Sequence, residues 1–159
     1  MNVPRAAYTT LAPGAYQGFR DVDAALESST LGKALIDLVF QRVSQINGCA
    51  YCVDKHARDL LALGEDPQRL NSLVTWHETT FFSDRERAAL QWAEALTMIA
   101  DTHAPDSDFT MLKEHFDERE IVELTYAVAL MNAWNRLAIG MRQPVKQATL
   151  PTRAFATAT

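Results

Sequence analysis

The chain has 159 residues, about the size of one domain, and its 48% apolar and 22% charged residues are ordinary for a globular protein. Its 15 basic and 20 acidic side chains give a net charge of −5, which argues against nucleic-acid binding, because that needs a basic surface. No apolar run reaches the roughly 20 residues of a membrane span, and residues 1–20 lack the apolar core of a signal peptide. We therefore expect one cytosolic domain that binds neither nucleic acid nor membrane.

Apolar residues recur at helical spacing through most of the chain, which predicts an all-α fold. The glycines and prolines are expected between the helices. In the first half the pattern predicts four helices, over residues 19–27, 31–46, 49–63 and 66–75. Asn47-Gly48 ends the second helix, and so short a connection predicts that the third packs antiparallel against it. Gly64 is the expected end of the third helix, and Asp66-Pro67 the expected start of the fourth.

The second half of the chain predicts three more helices, over residues 83–100, 108–115 and 117–139. The run Ser83-Asp84-Arg85-Glu86 has the capping-box pattern at the start of the first, and Asp117 is an N-cap for the last. No segment alternates apolar and polar residues long enough to predict a strand. The helical domain covers residues 1–142, with its core at 31–142. The tail, residues 143–159, is expected either to be disordered or to pack on a neighbouring subunit.

Cys49 and Cys52 are the two cysteines of the chain, and His56 follows them four residues later. Spacings of three and four place all three side chains on one side of a helix. The cysteines fall in its first turn, where free N–H groups and the helix dipole stabilise a thiolate. His56 can exchange a proton near neutral pH. The pattern therefore offers a nucleophile, a second thiol to resolve it, and a base.

Two other interpretations of these residues stay open. The cysteines could be small buried apolar side chains, with His56 as an ordinary core residue. The spacing C-x-x-C-x-x-x-H also supplies three zinc ligands, but a structural zinc site has four, and no fourth is near in the sequence. Structural disulfides are rare in a reducing cytosol, so a C-x-x-C pair there is more often redox-active or metal-binding. We favour a redox-active pair without a metal.

The sequence around the cysteines, residues 42–56, reads RVSQINGCAYCVDKH. It resembles the core motif of the AhpD-like alkylhydroperoxidases, in the carboxymuconolactone decarboxylase superfamily. Residues 76–90 and 131–139 resemble the next helix and the last long helix of that family, so the resemblance covers roughly residues 31–142. It implies an AhpD-like helical bundle, with the C-x-x-C pair on a helix hairpin, that assembles as a trimer or hexamer.

The resemblance also implies a thiol-dependent peroxidase that acts on hydrogen peroxide or small organic hydroperoxides. In that family the second cysteine attacks the peroxide and the first resolves the sulfenic acid, roles that fall on Cys52 and Cys49. His56 matches the histidine of the family's proton relay. The relay acid is usually a glutamate where this chain has Asp37, whose shorter side chain reaches less far. Gln41, one turn closer, is the alternative partner of the His56 ring.

Tyr51 stands between the cysteines, where some members of the family have a second histidine. A phenol is not a base near pH 7, but it can donate a hydrogen bond to a peroxide oxygen. Packing at a subunit interface is the alternative role for Tyr51. Three other aromatic residues fit helical faces and are expected in the core rather than in a cofactor site: Trp92, Phe109 and Trp134.

No haem, flavin or metal is implied by the resemblance. An external dithiol, dihydrolipoamide-like or thioredoxin-like, is expected to reduce the disulfide. Two other functions remain as alternatives. One is a lactone decarboxylase of the same superfamily, whose reaction needs no pair of thiols, and the other is a non-catalytic oligomer whose cysteines sense oxidation.

Overall fold

The computed structural model describes residues 3–146, and in this part of the chain all regular structure is helical, without strands. The prediction of an all-α fold is therefore confirmed. The helices are α1 (Tyr8–Leu11), α2 (Pro13–Glu27), α3 (Lys33–Asn47), α4 (Ala50–Ala62), α5 (Pro67–Ser72), a 3-10 helix (Leu73–Glu78), α6 (Asp84–Thr97), α7 (Ile99–Thr102), α8 (Asp106–Lys113) and α9 (Glu118–Gly140).

Helix α3 lies at the centre of the fold and packs against α4, α6 and α9. Its buried side chains belong to two apolar clusters, because successive residues of a helix point in different directions. Val39 and Val43 pack with residues of α6 and α9 such as Leu124. Leu38, on another side of α3, packs with Leu60, Leu73, Trp76, Phe82 and Leu90. Each such aliphatic side chain contributes roughly 1.5–3 kcal/mol by leaving water.

Both predicted N-terminal caps of the long helices are present. Ser83 accepts the N–H of Glu86 at the start of α6, while the Glu86 carboxylate accepts the N–H of Ser83 at 2.7 Å. Asp117 and Glu120 form the same reciprocal pair at the start of α9. Each box supplies partners for N–H groups that the helix leaves unpaired.

The first predicted helix, over residues 19–27, was too short. The structure begins α2 at Pro13 rather than at residue 19, and it adds the short helix α1 before it. Gly14 and Gly18 lie inside α2, so the expectation that glycines separate the helices is wrong at these two positions. Glycine costs about 1 kcal/mol relative to alanine in a helix interior, which tertiary packing offsets.

The turn between α3 and α4 has the form that Asn47-Gly48 predicted. Gly48 has a left-handed backbone, with φ of 67°, which glycine adopts without strain. The N–H of Gly48 donates to the carbonyl of Gln45 at 3.2 Å, and the N–H of Cys49 donates to that of Ser44 at 3.0 Å. These two bonds close the end of α3 and turn the chain directly into α4, which packs antiparallel on α3.

A buried amide network fastens this turn to α9. Asn135 is fully buried, and its side-chain carbonyl accepts a hydrogen bond from Nδ2 of Asn47 at 2.9 Å. Its own Nδ2 donates to the hydroxyl of Ser44 at 3.1 Å. Both partners belong to the last turn of α3, so the network fixes the position from which Cys49 begins α4.

Within residues 3–146 no helix is long and apolar enough to cross a membrane. Only the first four residues of the tail, 143–146, belong to the described part of the chain. Here Gln143 donates its N–H to the carbonyl of Ala138 at 2.8 Å. The prediction for residues 147–159 lies outside the described residues.

Candidate functional site

Cys49 and Cys52 are joined as a disulfide at the start of α4. Cys49 is the N-cap of the helix, and its sulfur accepts the backbone N–H of Cys52 at 3.4 Å. Their Cα atoms are 5.4 Å apart, which is within the range that disulfides require. Both residues are buried, with relative exposures of 1% and 3%. The two sulfurs are therefore close enough to bond within the first turn of α4.

His56 lies one turn after Cys52 on the same side of α4, and its ring is buried. The ring nitrogen Nδ1 lies 3.5 Å from Oδ1 of Asp37, which α3 contributes from the facing side of the hairpin. No polar atom of residues 3–146 makes a hydrogen bond of good geometry with Nδ1. The edge of the Phe40 ring packs against the imidazole at 5.1 Å between centroids. Asp37 is thus the carboxylate nearest to the His56 ring, at the outer limit of hydrogen-bond distance.

The carboxyl group of Asp37 has two close neighbours, the His56 ring and the ammonium group of Lys33. Its Oδ2 accepts a hydrogen bond from Nζ of Lys33 at 2.8 Å, one turn earlier on α3. Burial raises the pKa of Asp37, but the close approach of the His56 ring, the hydrogen bond from Lys33 and the charges of both groups outweigh it and hold the pKa below its usual range. The carboxylate is therefore ionised at neutral pH, and it can stabilise a protonated His56.

Gln41 is also buried, but its carbonyl oxygen has no hydrogen-bond partner among the described residues. It does not line the cavity beside Cys52. From the sequence, either Asp37 or Gln41 could be the partner of the His56 ring. In the structure, Asp37 lies next to the ring.

Four of the five predicted site residues meet at a cavity of about 230 Å³: Asp37, Tyr51, Cys52 and His56. Cys49 does not line it. The buried wall includes Phe40 and Met131, whereas exposed charged residues such as Arg20, Lys33 and Lys55 stand at its outer side. The cavity lies below the roughly 300–1,000 Å³ of sites for drug-sized ligands, so it suits a smaller molecule.

Helices α1 and α2 supply a wall of this cavity that the sequence analysis missed. Tyr16, Arg20 and Asp23 line the cavity from α2, and Tyr8 lines it from α1. Their spacing of four and three along α2 places them on one helical face, which is the signal that could have identified them. Trp134 was predicted as a core residue, yet it is half-buried and also lines the cavity. Its ring contacts Phe19 and Tyr16 of α2 at 5.0 and 5.6 Å between centroids, because α2 crosses α9 there.

A second carboxyl group at the cavity behaves differently from Asp37. Burial raises the pKa of Asp23 above its usual value, although Arg20 at 3.0 Å and the more distant Lys55 and His56 oppose the shift. The pKa values of the two acids are therefore shifted in opposite directions, although both line one cavity, Asp23 from α2 and Asp37 from α3.

The residues that could hold a metal ion, within the part of the chain described, are Asp37, His56 and Asp59. Their candidate ligand atoms lie within 4.8 Å of one another. Each carboxylate is already paired with a lysine, Asp37 with Lys33 at 2.8 Å and Asp59 with Lys55 at 2.6 Å. These ammonium groups occupy the carboxylates as counter-ions, so the arrangement is better explained as two ion pairs beside a histidine.

An all-helical fold with a C-x-x-C pair at the start of a hairpin helix defines the AhpD-like class of proteins. Residues 12–95 match the sequence model of the Carboxymuconolactone decarboxylase family. The chain belongs to this family. Its members are generally enzymes.

Several known proteins are similar to this chain. The uncharacterized protein YdfG of Bacillus subtilis is 36% identical over 137 residues, which cover 86% of this chain and 93% of YdfG. A protein of unknown function from Agrobacterium tumefaciens, a candidate antioxidant defence protein AhpD, is 38% identical to this chain. The similarity to its crystal structure covers 91% of this chain and 100% of the Agrobacterium chain, with a TM-score of 0.86. An uncharacterized peroxidase-related protein from Silicibacter is 26% identical, with a TM-score of 0.73, over 82% of this chain and 69% of its own.

Proposed function

We propose that the protein is a thiol-dependent peroxidase that reduces hydrogen peroxide or small organic hydroperoxides. The observation that carries the proposal is the disulfide between Cys49 and Cys52 next to a cavity that also holds His56 and Asp37. A reversible thiol pair, a base and room for a small substrate are the parts that this reaction needs.

In the first half of the reaction, His56 takes the proton of the Cys52 thiol, and Asp37 stabilises the resulting imidazolium. The Cys52 thiolate attacks the distal oxygen of the peroxide, so that an S–O bond forms and the O–O bond breaks. The leaving alkoxide takes the proton from His56 and departs as an alcohol, or as water when the substrate is hydrogen peroxide. Cys52 is left as a sulfenic acid.

In the second half, the Cys49 thiol attacks the sulfur of the Cys52 sulfenic acid. The S–S bond forms, and the hydroxyl group leaves with the proton of Cys49 as water. The two cysteines have then given two electrons to the peroxide. An external dithiol returns these electrons and becomes a disulfide itself. Tyr51, which lines the cavity, can donate a hydrogen bond to an oxygen of the substrate or of the sulfenic acid.

The similarities support this assignment at the level of the class, because both an AhpD candidate and a peroxidase-related protein share the fold and more than a quarter of the sequence. The family name favours the alternative, a lactone decarboxylase. That reaction requires neither a second thiol nor a disulfide, so the bonded cysteine pair favours the peroxidase.

The test is a peroxide-consumption assay with dithiothreitol as reductant. We expect the wild type to consume cumene hydroperoxide catalytically and Cys52→Ser to have no activity above that of dithiothreitol alone. The control is Ser107→Cys, at an exposed site away from the cavity, which should behave as the wild type. Activity that survives in Cys52→Ser contradicts the proposal. Conversion of a carboxymuconolactone by both the wild type and Cys52→Ser identifies the decarboxylase. A disulfide that forms without peroxide turnover identifies the redox sensor.

A further inference from the structure

The two sulfurs of the disulfide differ in access. Cys52 lines the cavity beside His56 and Tyr51, whereas Cys49 does not. Cys49 is enclosed by the core instead, with a relative exposure of 1%, at the turn that Ser44 and Asn135 fasten to α9. A molecule that enters the cavity therefore meets the Cys52 sulfur and not that of Cys49.

The Cys49 sulfur also has a partner for a negative charge. As the N-cap of α4, it accepts the N–H of Cys52 at 3.4 Å. A hydrogen bond at a helix N-terminus stabilises a thiolate. The access to Cys52 therefore sets the sulfur that is attacked, and this N–H group stabilises Cys49 as the sulfur that leaves.

We propose that the thiol that reduces the disulfide enters through the cavity and attacks the Cys52 sulfur, with Cys49 as the leaving thiolate. This inference rests on the redox pair of the proposed function and assigns the order of its reductive half. A new S–S bond forms between the reductant and Cys52 while the bond between Cys52 and Cys49 breaks, and the electron pair stays on Cys49. A second thiol of the reductant then displaces Cys52, which leaves with a proton as the free thiol.

The size of the cavity limits the shape of the reductant. The attacking thiol must pass exposed Arg20 and Lys55 and reach a sulfur with a relative exposure of only 3%. A cavity of about 230 Å³ admits a small dithiol or a dithiol on a thin extended arm.

The experiment identifies which cysteine forms the mixed disulfide. Purified wild-type protein is oxidised with diamide, so that the result does not depend on peroxide turnover, and is then treated briefly with 2-mercaptoethanol. The reaction is stopped with acid, free thiols are alkylated with iodoacetamide, and peptides are analysed by mass spectrometry. We expect mercaptoethanol on Cys52 and the alkyl group on Cys49 in at least tenfold excess over the reverse. The reverse pattern, or equal amounts of both, overturns the proposal.

Two single-cysteine variants provide an independent measurement. Methyl methanethiosulfonate, a small uncharged reagent, should modify Cys52 in Cys49→Ser at least tenfold faster than Cys49 in Cys52→Ser. Circular dichroism establishes that both variants are folded, and the mapping on the wild type needs neither variant. Equal rates contradict the assigned access. If the wild type has no peroxidase activity in the dithiothreitol assay but still carries mercaptoethanol on Cys52, the proposed function is wrong. The proposed direction of cleavage then still holds.

Discussion

His56 lies one turn after Cys52 on α4, and its buried ring has Asp37 as the nearest acid, at 3.5 Å. If it activates Cys52, the change His56→Ala should lower turnover about 100-fold or more, which is the usual scale for a lost general base. Alanine is a good helix former, so α4 should persist. The control is His115→Ala, which lies outside the cavity. Steady-state peroxide reduction measures both, and an unchanged rate in His56→Ala would make the ring a packing residue.

Asp37 should affect stability in a pH-dependent way. The pKa of Asp37 is lowered in the folded protein. Above about pH 4, the pKa of aspartate in an unfolded chain, the ionised Asp37 carboxylate therefore adds to the free energy of unfolding. This contribution is lost as the pH falls through the lower pKa of Asp37 in the folded protein. Protonated aspartate is close in shape to asparagine. The free energy of unfolding of Asp37→Asn should therefore lie below that of the wild type at pH 7, and the gap should close below about pH 4.

Urea denaturation at a series of pH values measures this gap. Asp37→Glu, which restores the residue usual in the family, should keep the pH dependence of the wild type and keep or raise its activity. Asp37→Asn should reduce turnover less than His56→Ala does, because Asp37 acts through the ring. A gap that is constant from pH 7 to pH 3 would contradict the ion-pair account.

At the residue scale, the sequence predicted the cluster that lies close together along the chain. Spacing alone predicted that Cys49, Cys52 and His56 share one helical side. Cys52 and His56 line the cavity from α4, whereas Cys49 is the N-cap of that helix and is bonded to Cys52. The proximity of Asp37 to His56 followed only from the resemblance, since it depends on how α3 packs on α4. Tyr16 and Trp134 were missed as cavity residues, because their meeting depends on a contact between α2 and α9, which are more than 90 residues apart in sequence.

The hairpin of α3 and α4 depends on one backbone conformation. Gly48 has a φ of 67°, where a side chain costs roughly 1–2 kcal/mol, and an added Cβ would meet nothing within 4 Å. Gly48→Ala should therefore lower the free energy of unfolding by about that amount, without a steric penalty. Gly140→Ala is the matched control, because its surroundings are equally open and its φ is not positive. Equal effects of the two changes in urea denaturation would contradict the argument.

At the element scale, the long helices with clear N-terminal signals could be predicted from the sequence, whereas the short helices α1 and α7 could not. The capping boxes at Ser83 and Asp117 are local signals, and both helices begin where they indicate. The end of α6 was placed at residue 100, but Met98 departs from helical geometry, and a separate short helix follows. The first half of α2 was not predicted, because Gly14 and Gly18 have a low helical preference. Helix α2 is stabilised by packing against α9, which the sequence pattern does not show.

At the scale of the whole molecule, we propose that the protein associates through an apolar groove between α2 and α9. The groove has a volume of about 390 Å³ and is lined by small and apolar residues: Ala15, Gly18, Phe19, Val22, Tyr126, Ala129, Leu130 and Ala133. Tyr126, with a relative exposure of 61%, and Val122, with 54%, extend it along α9. Light scattering should give a trimer or hexamer for the wild type, as the family resemblance implies.

A charge in the groove should weaken this association. We expect Tyr126→Glu to shift the mass toward the monomer, because association would bury an unpaired carboxylate. Leu61→Glu is the control, since Leu61 is an exposed apolar residue of α4 outside the groove. A monomeric wild type contradicts association, and an oligomer unaffected by Tyr126→Glu places the interface elsewhere.

The central claim, that Cys52 and Cys49 transfer two electrons to a peroxide, is tested most directly by a single turnover. Fully reduced protein is mixed with one equivalent of cumene hydroperoxide in the absence of other thiols, and alcohol and protein thiols are counted. The account predicts one alcohol formed and two thiols lost per chain, with the disulfide between Cys49 and Cys52 as the product. In Cys49→Ser, dimedone should trap a sulfenic acid on Cys52. Two thiols that persist in the wild type while the peroxide remains unreduced would contradict the account.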